Sequence, residues 1–365
     1  MFIWTIFLLI EYALLLYYEK VTDNRKKVYI VSCFALIAVY FAGFRDCLGM
    51  DYDGYRDWCE RDRYLNYDIW LFSEPFLELI RSFCADTKFS AVLFFVAMAA
   101  LTSLPAVFVY SKYKNFALAA FVYLTYTGLY LFSFNIVRQF AAGGLCLLAS
   151  YYLLKEKNLH NTLIFVGLVI FSSLIHKSSI LFLLVYFISV KDYNVSVIVA
   201  IIIASFIVPI GSFTGLNFIT GLIDAMDYTT YVDYSSHSVS KSSLSNLYMH
   251  IMIIPFLVNK NKLLKLDGAN NYVFALKMFV IFLVCNNLSA NGMPIAYRIG
   301  IFFVMFVPIV FSILPQIIDR QLAHIIIITS LLFLFFYIGL GNPLVVPEKI
   351  LPLNSIFDSV YINYK

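Results

Sequence analysis

Apolar residues in this chain come in long, nearly unbroken runs. They do not follow the one-sided periodicity of helices or strands that face water. The first run is Phe2 to Tyr18, interrupted only by Glu11. It has no basic stretch before it and no small-residue cleavage site, which predicts a retained span and not a cleaved signal peptide. A second run covers about Val28 to Phe44. Further runs fall at roughly 89–110, 116–133, 140–154, 162–175, 178–190, 195–213, 244–258, 271–288, 299–318 and 322–341. About 20 apolar residues cross a bilayer as a helix. The pattern therefore predicts an all-α, polytopic integral membrane protein with about 12 (10–12) transmembrane helices. The runs 162–175 and 178–190 are short for a crossing, and predict either a tilted hairpin or a partly re-entrant pair. Residues 45–74 are charged, and 74–87 carry the pattern of a short amphipathic helix lying in the interface. A second polar loop covers about 214–243.

Composition agrees with this pattern. Of 365 residues, 62% are hydrophobic, 18% aromatic and only 13% charged, with mean hydropathy +0.83. Soluble domains carry about 25% charged residues. A soluble enzyme and a disordered chain are excluded, and so is an outer-membrane barrel, whose strands alternate over short segments. The chain reads as a single transmembrane domain, 1–365. The net charge of +4 gives no support to nucleic-acid binding.

Charge sets the expected orientation. Eleven lysines, among them Lys20, Lys26, Lys27, Lys112 and Lys114, fall in one set of alternate loops, and five in the other. Basic residues in short loops mark the cytoplasmic side, so the loops at 45–88 and 214–243 are expected outside. Arginine runs the other way: seven of nine fall on the expected outer side. Arginine suits bidentate contact with phosphate and carboxylate. The plainer alternative pairs Arg56, Arg61, Arg63 and Arg81 with acids nearby. Arg45, Arg138 and Arg298 have few local acids.

Four motifs meet at this outer boundary: Phe-Arg-Asp at 44–46, Asn-Ile-Val-Arg-Gln at 135–139, Leu-Ile-His-Lys-Ser at 174–178, and Tyr-Arg at 297–298. Charges at a bilayer boundary often mark a functional cavity. Each also has a structural reading: arginines that snorkel to lipid phosphates, an interfacial His176, an anchoring Lys177. The loop from Arg45 to Trp58 adds Asp51, Tyr52 and Tyr55. Carboxylates and aromatic rings are what a sugar site needs, and a carboxylate in a partly apolar site can act as a general base. An ordinary solvated loop is the alternative. Cys47, Cys59 and Cys84 are expected on the oxidising side, with Cys47 and Cys59 the candidate bridge.

The order of these motifs resembles the EpsG family of Wzy-like exopolysaccharide and O-antigen polymerases. That family has an arginine ending an early span, then a Gly-Thr-Asp-Tyr turn and a second tyrosine. Here these are Arg45, Gly49-Met50-Asp51-Tyr52 and Tyr55, with Met50 in place of the hydroxyl residue. Arg138-Gln139 precede a small-residue helix at 141–144. His176-Lys177-Ser178-Ser179 stand between two spans, and Arg298 precedes an aromatic-rich span. The resemblance covers about 40 to 305.

The resemblance implies a GT-C-like membrane glycosyltransferase of the bacterial inner membrane, with its active face periplasmic. It implies undecaprenyl-diphosphate-linked oligosaccharides as donor and acceptor, membrane lipid as surroundings, and a chain-length regulator protein as a further partner. In this reading Asp51, His176 and Arg138 are catalytic, Asp51 being the first choice of base and His176 the second. Arg45, Asp46, Tyr52, Tyr55, Gln139, Lys177 and Arg298 bind substrate or diphosphate, Asp46 more as an orienter of arginine. Fixed positive charge is needed where the diphosphate leaves. No cofactor and no metal are expected; Asp51-Tyr52-Asp53 is formally an Asp-x-Asp but belongs to the loop motif. The rival readings are a flippase or transporter for a lipid-linked saccharide, and a membrane O-acyltransferase using His176.

Overall fold

Without water to satisfy it, a backbone amide must find its partner inside its own segment, so apolar runs fold as helices. The computed structural model describes residues 2–46, 51–61, 74–85, 90–156, 158–207, 243–291, 293–335 and 354–355. In chain order the helices are α1 (Phe2–Lys20), α2 (Asn24–Gly43), α3 (Tyr52–Arg61), α4 (Pro75–Ala85), α5 (Ser90–Tyr110), α6 (Phe116–Thr125), α7 (Val137–Lys155) and α8 (Leu159–Ser173). A 3₁₀ helix follows at Lys177–Phe187, then α9 (Val195–Ile207), α10 (Ser243–Val258), α11 (Lys260–Leu264) and α12 (Ala269–Ala290). The last are α13 (Pro294–Val304), α14 (Val307–Ser312), α15 (Leu314–Ile317) and α16 (Arg320–Phe333). One two-residue bridge, β1 (Arg45–Asp46), pairs antiparallel with β2 (Asn354–Ser355).

The architecture is that of a polytopic helical membrane protein, but the expected count of about 12 spans does not hold. Among the described residues α2, α5, α7 and α12 are long and apolar enough to cross a bilayer. A fifth crossing exists if Ile295–Val304 and Val307–Ile317, bent by 43°, form one span. Six other apolar helices have only 10–17 residues. At 1.5 Å per residue, or about 2.0 Å in the one that is a 3₁₀ helix, they reach about 15–25 Å, short of the ~30 Å hydrocarbon core. Apolarity marks burial against other helices as well as burial in lipid, and the sequence pattern does not separate them. The run 116–133 shows the reason: its helix stops at Thr125, and turns followed by a short 3₁₀ helix at Phe132–Phe134 take up the rest. The runs 162–175 and 178–190 become α8 and the 3₁₀ helix, packed against each other.

Two glycines set the helix spacing. A Cβ on Gly144 of α7 would lie 2.5 Å from the Leu101 carbonyl oxygen and 2.8 Å from that of Thr102, so α5 and α7 touch backbone to backbone. A Cβ on Gly43 would lie 2.7 Å from the Val96 side chain, closing α2 on α5 at that end. Buried tyrosines keep their hydroxyls satisfied: Tyr110 donates to the Met305 carbonyl (2.8 Å), Tyr130 to Ala38 (2.6 Å) and Tyr193 to Phe256 (2.6 Å). Glu11 is the contrast. It is fully buried in mid-α1, and neither carboxyl oxygen has a hydrogen-bond partner among the described residues.

Gly144→Ala should lower stability by ~1–3 kcal/mol, because overpacking meets backbone that cannot move aside. Gly167→Ala in α8, where nothing lies within 4 Å, should be neutral or stabilising by ~0.5–1 kcal/mol. Thermal unfolding of both variants in the same detergent checks the contrast; equal melting temperatures would mean that α5 and α7 are not in backbone contact.

Candidate functional site

The charged stretch folds onto the bundle through a small apolar cluster of its own. Tyr52 and Cys59 of α3, and Leu77 and Cys84 of α4, are each seven residues apart and so share a helix face. They pack on Phe94, Phe95 and Met98 of α5 and on Val137, Ala141 and Leu145 of α7. The Tyr52 ring lies on Phe95 at 4.8 Å, and Tyr55 on Phe94 at 5.6 Å. Arg81 joins α4 to α3: it donates to the Trp58 carbonyl (3.2 Å) and to Glu78 (3.0 Å), with its guanidinium 4.8 Å from the Trp58 ring. The segment expected as an amphipathic helix at 74–87 is thus helical over Pro75–Ala85, and residues 86–87 lie outside the described residues. At its start the Phe76 amide donates to the Leu174 carbonyl (3.1 Å). That bond places Glu74 beside the turn that ends α8.

Glu74 is the centre of the site. Its Oε2 receives Arg138 Nη1 at 2.6 Å. Its Oε1 receives His176 Nδ1 at 2.8 Å and the Lys177 backbone amide at 3.3 Å. Arg138 Nε also donates to the Tyr55 hydroxyl at 2.9 Å. On the far side of the imidazole, Gln139 Nε2 stands 2.8 Å from His176 Nε2. Adjacent residues of α7, Arg138 and Gln139, therefore grip Glu74 directly and through His176.

The charge states follow from these contacts. Burial pushes the Glu74 carboxyl up, but the hydrogen bond from His176, the Arg138 charge and the Lys177 amide outweigh it and leave it below its ordinary value. Burial lowers His176; the Glu74 hydrogen bond opposes this, while the Arg138 and Arg298 charges reinforce it, and the net is a lowered value. At neutral pH Glu74 is ionised and His176 neutral. The tautomer with Nδ1–H toward Glu74 leaves Nε2 to accept from Gln139.

The structure brings together Arg138, Gln139, His176, Lys177 and Tyr55 of the residues singled out in the sequence. Asp51 lies exposed at the start of α3. Surrounding protein still raises its carboxyl above the ordinary 3.8, against the Arg298 and Arg138 charges, which are close enough to act on it. Arg298, on α13, is half-buried. Lys177 is half-buried, and it is its backbone amide that meets Glu74. Arg45 and Tyr52 stand behind this group. Arg45 is 1% exposed, donates to the carbonyls of Ala42 and Phe134 (3.1 Å for the latter), and lies 4.2 Å over the Phe95 ring. Asp46 contributes backbone to β1. Its side chain, Cys47 and so the candidate bridge to Cys59, Gly49, Met50 and the loop at 214–242 lie outside the described residues. Among the described residues no group of three or more His, Cys, Asp and Glu side chains stands together as metal ligands.

Sequence reasoning missed Glu74. It sits where the charged stretch gives way to the amphipathic one, at the boundary between the two. The available signal is a carboxylate directly before a proline-initiated helix, a position that ends a loop and fixes it.

A helical membrane protein with two arginines, an exposed carboxylate and a locked Glu–His pair at one end of its bundle is suited to an anionic substrate with a reacting hydroxyl. The EpsG family model matches residues 28–355, nearly the whole chain, and the chain belongs to the EpsG family. No curated protein and no solved structure matches it. Membership supports a polysaccharide-polymerase-like, glycosyltransferase-like role on lipid-linked saccharides in general, for an integral membrane protein.

The two lowered values predict the acid response. His176 contributes its share of stability above pH 6.5 and loses it as pH falls through its folded value; Glu74 does the same below 4.5. Stability should therefore fall on acidification from about pH 6.5 downwards. Glu74→Gln should cost ~1–3 kcal/mol at pH 7 and flatten the part below 4.5. Melting temperature against pH for wild type and variant checks this. An unchanged curve would show that Glu74 is not ionised in the fold.

Proposed function

We propose that this chain, acting as a single transmembrane domain over 1–365, is a polymerase that joins undecaprenyl-diphosphate-linked oligosaccharide units at the periplasmic face of the bacterial inner membrane. The observation that carries the reading is Arg138, clamped between Glu74 and Tyr55 at the same end as Arg298 and Asp51. A guanidinium held this way loses no orientation when a diphosphate arrives.

Asp51 is the base of this reading. Its carboxylate accepts the proton of the acceptor hydroxyl. That oxygen forms its bond to the anomeric carbon of the donor as the bond from that carbon to the diphosphate oxygen breaks, and the electron pair leaves with the lipid diphosphate. Arg138 and Arg298 stabilise the charge that develops there. His176 is better placed to orient than to abstract, because both ring nitrogens are already engaged. Gln139 and Tyr55 hold the imidazole and the guanidinium. Lys177 borders the substrate, Asp46 orients an arginine, Tyr52 supports the floor, and Arg45 fixes the end of α2. The chemistry runs without a metal.

Purified protein in vesicles with a lipid-diphosphate-linked repeat unit should yield a polymer ladder without nucleotide sugar. Arg138→Ala should lower the yield by ~10²–10³-fold and Asp51→Asn by ~10²–10⁴-fold. A base works ionised, so activity should rise with pH through a value above 3.8, and Asp51→Asn should lose that limb. Wild-type yield from well-folded Asp51→Asn removes it as base. Movement of the lipid-linked unit across the vesicle with no ladder would make the protein a flippase.

A further inference from the structure

The seam between α2 and α5 is shut at the site end, where Gly43 meets Val96, and open at the other. There α2 begins at Asn24 and α5 ends at Tyr110, and between them lies a cavity of about 650 Å³. Its walls are mainly apolar, with Val31 and Leu36 from α2 and Leu104 and Phe108 from α5, and Ser32 and Ser111 among them. Leu36 is 61% and Leu104 43% exposed, so the cavity is a groove open sideways along the bundle. From Lys27 to Leu36 it runs about 13 Å along α2.

Two lysines stand at its mouth. Lys27 Nζ lies 5.1 Å over the Tyr18 ring and Lys112 Nζ 4.6 Å over the Phe108 ring. Neither has a carboxylate partner among the described residues. Of the carboxylates at this end, Asp23 accepts from the Arg25 amide at 2.8 Å, Asp267 pairs with Lys114 at 3.5 Å, and Glu19, next to Tyr18, is exposed. Lys20, Arg25 and Lys26 add further positive charge. The result is a mainly apolar trough along a membrane helix, capped by two lysines that form no ion pair among the described residues, at an end where basic residues outnumber acids.

We propose that this groove binds one acidic glycerophospholipid of the adjoining leaflet, its phosphate between Lys27 and Lys112 and an acyl chain along the α2–α5 seam. Charge selects the headgroup, because ammonium groups at a membrane surface attract anionic lipid. The trough selects an amphiphile over free phosphate. The site lies at the opposite end of α2 from Arg45, so its occupant is distinct from the substrate proposed above.

Native mass spectrometry of the full chain in detergent tests this with phosphatidylglycerol, phosphatidylcholine and a polyprenyl phosphate as probes. Phosphatidylglycerol should bind in preference to phosphatidylcholine, and the double variant Lys27→Ala/Lys112→Ala should weaken it about 10- to 30-fold. Leu104→Trp, which fills the trough and keeps both charges, should also displace the lipid. Melting temperatures without lipid verify that both variants fold. Equal binding of the two phospholipids, binding untouched by either variant, or tighter binding of the polyprenyl phosphate overturns the proposal.

Discussion

A carboxylate shielded from water by protein is costly unless donors replace the water it has lost. Glu74 receives three: a guanidinium from α7, an imidazole from the turn after α8, and the Lys177 amide next to it. Remove the carboxylate and Arg138 faces His176 with nothing between them. Keep it, and one residue at the start of α4 fixes α7, the α8 turn and α4 in a single geometry. Such a pair contributes little net stability, because desolvation offsets much of the attraction. Its value is in orientation. Glu11 is the useful contrast, a more deeply buried carboxyl with no hydrogen-bond donor among the described residues.

The bundle beneath supplies rigidity. Gly144 and Gly43 let helices meet at backbone distance, and tyrosine hydroxyls satisfy carbonyls that crossing helices leave accessible. The second cluster, centred on Phe94 and Phe95, anchors α3 and α4 on this frame. Arg45 belongs to the same support: its guanidinium is sandwiched by Phe95 and Phe134 and ties α2 to the segment before α7. A residue type chosen for phosphate contact can also serve as a buried bracket, and the sequence does not tell the two apart.

Helicity and membrane insertion were legible in the sequence because both follow from apolar runs alone. The number of crossings was not, because Thr125 and the break around Met305 and Phe306 end helices inside runs that stay apolar throughout. Arg138, Gln139 and His176 were found because polar residues stand out at the ends of such runs. Glu74 did not stand out, since it lies among other charges, and only the fold selects it from them. Asp51 was legible through its motif, and its proximity to Arg298 joins positions far apart in the chain.

The 3₁₀ helix after His176 has a metric consequence. It holds eleven residues, and α8, on which it packs, holds fifteen. At about 2.0 Å per residue the first spans about 22 Å, and at 1.5 Å per residue the second spans about the same. The tighter winding makes two arms of unequal residue count equal in reach. Rewound as an α-helix, the shorter arm would fall about 6 Å short. His176, at the joint, stands at the apex of a hairpin whose symmetry comes from pitch.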